Sequence, residues 1–216
     1  MEKLEKMADF FASRVDMYDG HMMNDVLGCK EGYIKIAELV PSECRRLLDL
    51  GCGTGLELEK IFRKNPDLSV TGIDLCETML DKLSEKYADK RINLICGDYF
   101  TVDFGSDYNC AISFQTMHHF SKEKKAELYK KIYHALTDEG AYIECDYMVE
   151  TQTEENHWFS ENERIRIEQG IAENEFYHYD TPCTVENQIK LLKGAGFSSV
   201  EQVLRIENTT MLVARK

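Results

Sequence analysis

Several side chains in this sequence have the type and spacing to do chemistry, and the first set is Asp49-Leu50-Gly51-Cys52-Gly53-Thr54-Gly55. Glycine lacks a Cβ, so three of them in five residues let the backbone turn sharply and let a ligand lie against it. Two further acids follow apolar runs. Asp74 ends the run Leu68 to Ile73, and Asp98 sits in Cys96-Gly97-Asp98-Tyr99 after a third strand-like segment. A carboxylate at a strand tip can accept hydrogen bonds from both hydroxyls of a ribose. His118 and His119 lie just beyond a fourth run, Ala111-Ile112-Ser113-Phe114, and Tyr18 and His21 lie in the N-terminal segment. Histidine titrates near neutral pH, which suits a general base, and these four residues are the candidates for moving a proton.

The elements that position these residues alternate between strand and helix. Leu47 to Leu50 read as a buried strand, and Leu56, Leu58, Ile61 and Phe62 then have the spacing of a helix packed on a sheet. A second helix carries Met79, Leu80, Leu83 and Tyr87. In a doubly wound sheet ligands bind outside the carboxyl ends of the strands, so Asp49 and Asp74 should face one crevice. The third glycine of a dinucleotide fingerprint would fall at Leu56, and no Gly-Lys-Ser/Thr ending follows the turn. A pyrophosphate cradle and an ATP site are therefore disfavoured.

These residues resemble the class I S-adenosylmethionine-dependent methyltransferases of the small single-domain type, with their LDLGCGTG motif. The resemblance runs on through Asp74, Asp98, the fourth strand, Leu136-Thr137-Asp138-Glu139-Gly140 before a fifth strand and Leu192 to Phe197 before a closing hairpin. It implies a doubly wound, mostly parallel seven-stranded α/β sheet with a C-terminal antiparallel hairpin, N-terminal helices and a helical lid insertion. It also implies S-adenosyl-L-methionine as cofactor and S-adenosyl-L-homocysteine as product. Asp49 with the backbone of Gly51, Cys52 and Gly53 would hold the methionine part. Asp74 would take the ribose, with Leu75 and Met79 near the adenine. Asp98 would accept from the adenine amino group and the Tyr99 amide would contact the ring. The Phe114 carbonyl would meet the ammonium group, and Gln115 would line the crevice. Asp49 has a second reading, in which it stabilises the glycine loop through its amides.

Composition fits one domain. The chain has 216 residues and a net charge of −13, with 39 acids against 26 bases. Phosphate binding draws on clustered Lys and Arg, so a nucleic-acid partner is disfavoured. The lysine group Lys122, Lys124, Lys125, Lys130 and Lys131 reads as a solvated helix face. The eight cysteines form no C-x-x-C pair, so no zinc and no other metal is expected, and Cys52 reads as a small filler. A cytoplasmic protein with no membrane span is expected, of undetermined oligomeric state.

The expected organisation is an N-terminal helical cap over 1–43, a cofactor core over 44–148, a lid insertion over 149–183 and a closing helix and hairpin over 184–216. The helical region, residues 2 to 40, is expected to break at Asp16 to His21. The insertion carries Trp158, Phe159, Phe176, Tyr177 and Tyr179 with Glu150, Glu154, Glu155, Glu161, Glu163, Glu168, Glu173 and Glu175. Those acids suit a neutral or cationic small acceptor.

The expected reaction is methyl transfer to a small molecule by in-line displacement. His118 reads as either a general base or a structural residue, and Tyr18 as a cover over the cofactor or a catalytic phenol. RNA or protein methylation, and a cofactor-binding regulator without turnover, are the alternatives; Leu56 argues against a nicotinamide enzyme. A relative that makes or uses a carboxylated cofactor would want a cation near the sulfonium, for which Arg14 is the N-terminal candidate.

Overall fold

The computed structural model describes residues 3–172 and 174–216; Met1 and Glu2 at the head of the cap, and Glu173 of the insertion, lie outside the described residues. Seven strands run β1 (Arg46–Leu50), β2 (Ser69–Asp74), β3 (Arg91–Cys96), β4 (Tyr108–Phe114), β5 (Leu136–Tyr147), β6 (Ser199–Ile206) and β7 (Thr209–Arg215). They form one sheet in the order β3-β2-β1-β4-β5-β7-β6. The first five are parallel, and β7 inserts antiparallel between β5 and β6. The α/β class, strand number and closing hairpin are those implied by the sequence.

Helices cover both faces, which is why β1 is apolar at every position but Arg46 and Asp49. Leu47 packs toward α3 (Cys29–Leu39) and α4 (Leu58–Lys64). Leu48 and Leu50 pack toward α6 (Lys122–Ala135) and α8 (Val185–Gly194). α5 (Glu77–Lys86) buries Met79, Leu80 and Leu83. The strand order reverses between β1 and β4, so their carboxyl ends open a crevice at the switch point.

Three local expectations change. Asp16 to His21 is not a break: α1 (Met7–Ala12) and α2 (Val15–Asn24) flank residues 13 and 14, and the next interruption ends at Gly28, whose φ is 85°. Gly20 has open space around it and is tolerated inside α2. Leu136 to Gly140 does not precede β5 but begins it, with a register shift where Tyr108 faces Leu136 and Cys110 faces Ala141. The lysine face is only partly solvated. Lys125 is fully buried and donates to the Thr181 carbonyl, while Lys131 donates to the Tyr99 carbonyl at 2.6 Å.

The insertion is helical only in its first half, α7 (Gln152–Gln169), which starts at a Thr151–Glu154 capping box. Its second half is an extended strap. The Met7 amide donates to the Phe176 carbonyl at 3.0 Å and the His178 amide to the Glu5 carbonyl at 2.9 Å, so the strap pairs with the N-terminal segment. Glu155 is buried and structural, ion-paired with Lys122 and accepting from the Thr184 amide at 2.6 Å. No described helix is long and apolar enough to cross a membrane.

Leu50 is fully buried at the end of β1, an interior strand, so Leu50→Ala should lower unfolding free energy by about 2–5 kcal/mol in urea titration.

Candidate active site

The glycine turn is fixed by its surroundings before any ligand is considered. Gly51 has φ 71°, and a Cβ there would overlap Thr116 Oγ1 and lie 2.8 Å from the Tyr99 hydroxyl. The Gly51 amide donates to the Ile73 carbonyl at 2.8 Å. The Gly53 amide donates to Asp74 Oδ2 at 2.9 Å, and the Cys76 amide to Asp74 Oδ1 at 2.8 Å. Asp74 thereby stands at the tip of β2 inside the crevice, and a carboxylate still has lone pairs free for two more donors.

Gly51, Gly53, Asp74, Leu75, Met79, Asp98, Tyr99, Gln115 and Tyr18 all line this crevice. Several of the residues singled out from the sequence do not, His21 among them, which pairs with Asp25 at 3.1 Å. Asp49 and Cys52 are buried behind the turn, where Cys52 fills space against Gly72. Phe114 is buried, its ring stacked on Tyr33 at 4.0 Å. His118 opens instead onto a second, larger chamber of about 1110 Å³. Asp98 accepts from the Phe100 amide at 2.9 Å, which aims one face of its carboxylate into the protein. Gln115, between the crevice and the chamber, holds φ 50°, a left-handed conformation that a non-glycine residue adopts at a cost.

Asp49 has a partner that the sequence reading missed. Glu57, at the entry to α4, is 4 % exposed, and both Asp49 oxygens and Glu57 Oε1 lack hydrogen-bond partners. Burial pushes both carboxyls up, Glu57 to about 7, and the Glu57 charge raises Asp49 further. These two carboxyls lie behind the glycine turn without lining the crevice, and they interact with each other; the charge they can carry lies close to the place where a ligand ending in an ammonium group would sit. The glycine cradle, with no room for a side chain at residue 51, and the ribose-competent Asp74 fit the remainder of S-adenosylmethionine. The local signal for Glu57 was its place two residues after Gly55, at a helix start.

Tyr18 lies over the turn, its ring 3.9 Å from where a Gly53 Cβ would stand. Burial, then the Glu57 charge, raises its phenol above the ordinary range. The phenol therefore holds its proton near neutral pH. α2 is latched to the core by a Thr54–Asp19 hydrogen bond, by Lys86–Asp19 at 3.1 Å and by Lys82–Asp16 at 2.9 Å.

The chamber is lined by His118, His119, His178 and Asp180 among others. His118 Nδ1 lies 2.6 Å from Asp146 Oδ1, with both side chains buried. Its Nε2, and Nδ1 of His119, each lie 3.5 Å from Asp180 Oδ1. His178 stacks on Phe10 at 3.5 Å. Burial opposes charge on His118, but Asp146 outweighs it and raises its pKa; burial, then the His118 charge, holds His119 well below the usual range. None of the described glutamates of the insertion lines the crevice or the chamber; the strap contributes Asp180 to the chamber wall, beside Asp25 and Glu207 from other segments. Arg14 does reach the chamber wall, but it pairs with Glu5 at 2.8 Å and stacks 3.7 Å above the Phe10 ring.

Sheet order, glycine turn and strand-tip acid together define a Rossmann-like domain with a nucleoside-type site at its switch point. A family described as "Methyltransferase domain" matches residues 47–140. The carboxy-S-adenosyl-L-methionine synthase of Helicobacter pylori (strain G27) is 30% identical, over 79% of this chain and 75% of its own length. That of Nautilia profundicola is 25% identical over 99% and 96%. The chain belongs to the class I S-adenosylmethionine-dependent methyltransferases, and S-adenosylmethionine is its cofactor. Among solved structures it resembles a putative O-methyltransferase from Nostoc punctiforme, with TM-score 0.74 and 22% identity. It also resembles PigF with SAH, with TM-score 0.70 and 17% identity. The matches cover 99% and 95% of this chain but only 62% and 58% of those chains, and at these identities they show the fold.

Two outcomes test this geometry. Asp74→Asn should weaken cofactor binding by about 1.5–3 kcal/mol in calorimetry, since a charged acceptor is lost; unchanged affinity would remove the ribose assignment. Glu57 keeps its proton up to about pH 7 when folded, against 4.5 as its ordinary value, so the folded chain binds more protons between these values. Stability of the cofactor-free protein should therefore fall as pH rises from about 4.5 to 7, and Glu57→Gln should flatten that fall in denaturation at pH 5 and pH 8.

Proposed function

We propose that this enzyme transfers the methyl group of S-adenosylmethionine to a small acceptor held in the histidine-lined chamber. The observation that carries this reading is that the crevice and the chamber share a wall, built from Phe11, Tyr18, Gln115 and His119. Asp74 takes the ribose and Asp98 the adenine end. Asp49 and Glu57 attract the ammonium, and Tyr18 closes over the turn. The reactive end then points at the shared wall.

When bound, the cofactor supplies a methyl group already activated by its sulfonium, so the chain's own task is alignment at about 3–3.5 Å and exclusion of water. Phe11 and Tyr18 from the cap, with Phe176 from the strap, supply the apolar cover. His118 is held in one orientation by Asp146 and turns its Nε2 edge toward the acceptor side. A chamber of this size suits a small molecule rather than a polymer.

The names of the sequence relatives favour a second reading, formation of a carboxylated cofactor. A new carboxylate beside the sulfonium would need a cation. Arg14 is the guanidinium among the described chamber residues, and its charge is already matched by Glu5. Methyl transfer is the better fit.

Incubation with S-adenosylmethionine and a panel of small phenols, hydroxy acids, amines and thiols should release S-adenosylhomocysteine with at least one of them. Mass spectrometry of the same reactions decides between the readings. A carboxylated cofactor without S-adenosylhomocysteine release, formed as an acid of the panel loses its carboxyl group and the S-methyl group loses a proton, would establish the second, and release only when RNA or protein is added instead would overturn the small acceptor.

A further inference from the structure

We propose that His118, His119 and Asp180 form a site for a first-row divalent metal ion, of the zinc or ferrous class, on the chamber wall beside the methyl-transfer position. One donor atom from each residue lies within 4.8 Å of the others. The two contacts between imidazole nitrogen and Asp180 Oδ1, at 3.5 Å each, are too long for good hydrogen bonds. They match the separation of neighbouring ligands around one ion, since bonds of about 2.0–2.2 Å in tetrahedral geometry place ligand atoms about 3.3–3.6 Å apart. His119 Nδ1 also lies 3.4 Å from the Tyr179 carbonyl, a long contact that this nitrogen gives up, with its proton, when it ligates the ion.

Three further observations point to a cation. Asp180 Oδ1 is buried with no hydrogen-bond partner, an arrangement that is costly unless a positive group faces it. Asp146 Oδ1 lies 2.6 Å from His118 Nδ1, which fixes the tautomer that leaves Nε2 as a bare lone pair directed at Asp180. The Thr181 amide and hydroxyl both donate to the His118 carbonyl, at 2.6 and 2.9 Å, so the strap that brings Asp180 is pinned to the segment that brings the histidines. The cysteine spacing from which no metal was expected cannot register such a set, because its third member comes from a distant segment.

Two imidazoles and one carboxylate suit zinc, iron, cobalt or nickel better than magnesium or calcium, which prefer oxygen alone. Three protein ligands leave a coordination position open, and all three residues line the chamber. An acceptor that offers an oxygen or nitrogen lone pair would take that position. This use of the site rests on the proposed methyl transfer, whereas the site itself does not. With metal bound, His118 serves as a ligand rather than as a base. The competing occupant is a proton on Nε2, shared between His118 and Asp180.

The test uses the full chain, freed of metal by a chelator and dialysed. Titration with Co²⁺ should give visible ligand-field absorption saturating at one ion per chain, and Zn²⁺ should displace it. His119→Gln and Asp180→Asn should each weaken Co²⁺ binding at least tenfold, and Asp146→Asn, which touches no ion, about 10–100-fold. Thermal melts identify any variant that fails to fold, and either ligand variant alone decides the question. Absence of the absorption, or binding that both ligand variants leave unchanged, would overturn the site in favour of the shared proton. Metal binding without methyl transfer to any acceptor would leave the site standing and remove the proposed function. Methyl transfer at full rate in chelator, with no Co²⁺ binding, would do the reverse.

Discussion

The backbone at residue 51 lies so close to Thr116 and Tyr99 that no side chain fits there, and its left-handed φ would strain any other residue. That turn is tied down on the β2 side by the Gly51 amide on Ile73 and the Gly53 amide on Asp74. The two bonds fold the loop across the end of β2, and they bring the Asp74 carboxylate, the β4 exit and the Tyr99 ring around one opening. Everything placed later, including Tyr18 over the loop and Gln115 at the shared wall, takes its position from it.

Charge is distributed by the same economy of space. Along β5 the residues Tyr142, Glu144 and Asp146 point to one face and carry a polar stripe from the core to the chamber. Tyr142 bonds Ser113 at 2.6 Å, Glu144 bonds Gln188, and Asp146 meets His118. Burial pushes Glu144 up to about 7, with the Asp146 charge adding to it, so the stripe need not hold two full negative charges near neutral pH. What reaches the chamber is a rigid imidazole, which a flexible surface histidine would not provide.

The features that could be read from the sequence are those whose cause is local. Leu47 to Leu50, the glycine spacing and the acid after Ile73 each report on their own strand and turn, and the family resemblance they carry implied the sheet and the cofactor. The break placed at Asp16 to His21 failed because a glycine and two aspartates look like a turn, while Asp16 and Asp19 in fact grip Lys82 and Lys86 across the chain. Asp146 behind His118 and Asp180 between two histidines are contacts between segments far apart in sequence, and no periodicity encodes them; Glu57 is near Asp49 in sequence, but its burial at the start of α4 has no mark in composition. Lys125 reads as surface by composition, yet it is buried because the Thr181 carbonyl comes down to meet it.

The pairing of Glu5 and Met7 with Phe176 and His178 has a consequence for how the chain matures. On a ribosome Glu5 and Met7 emerge long before the strap they pair with, and β7 must still thread between β5 and β6 after that. Contacts of such long sequence separation form slowly, because loop-closure entropy is lost before they contribute. The glycine loop and its acids can assemble while synthesis continues, yet the roof over them cannot. The cofactor cleft of a nascent chain therefore stays unroofed at least until residues 176–178 have been made.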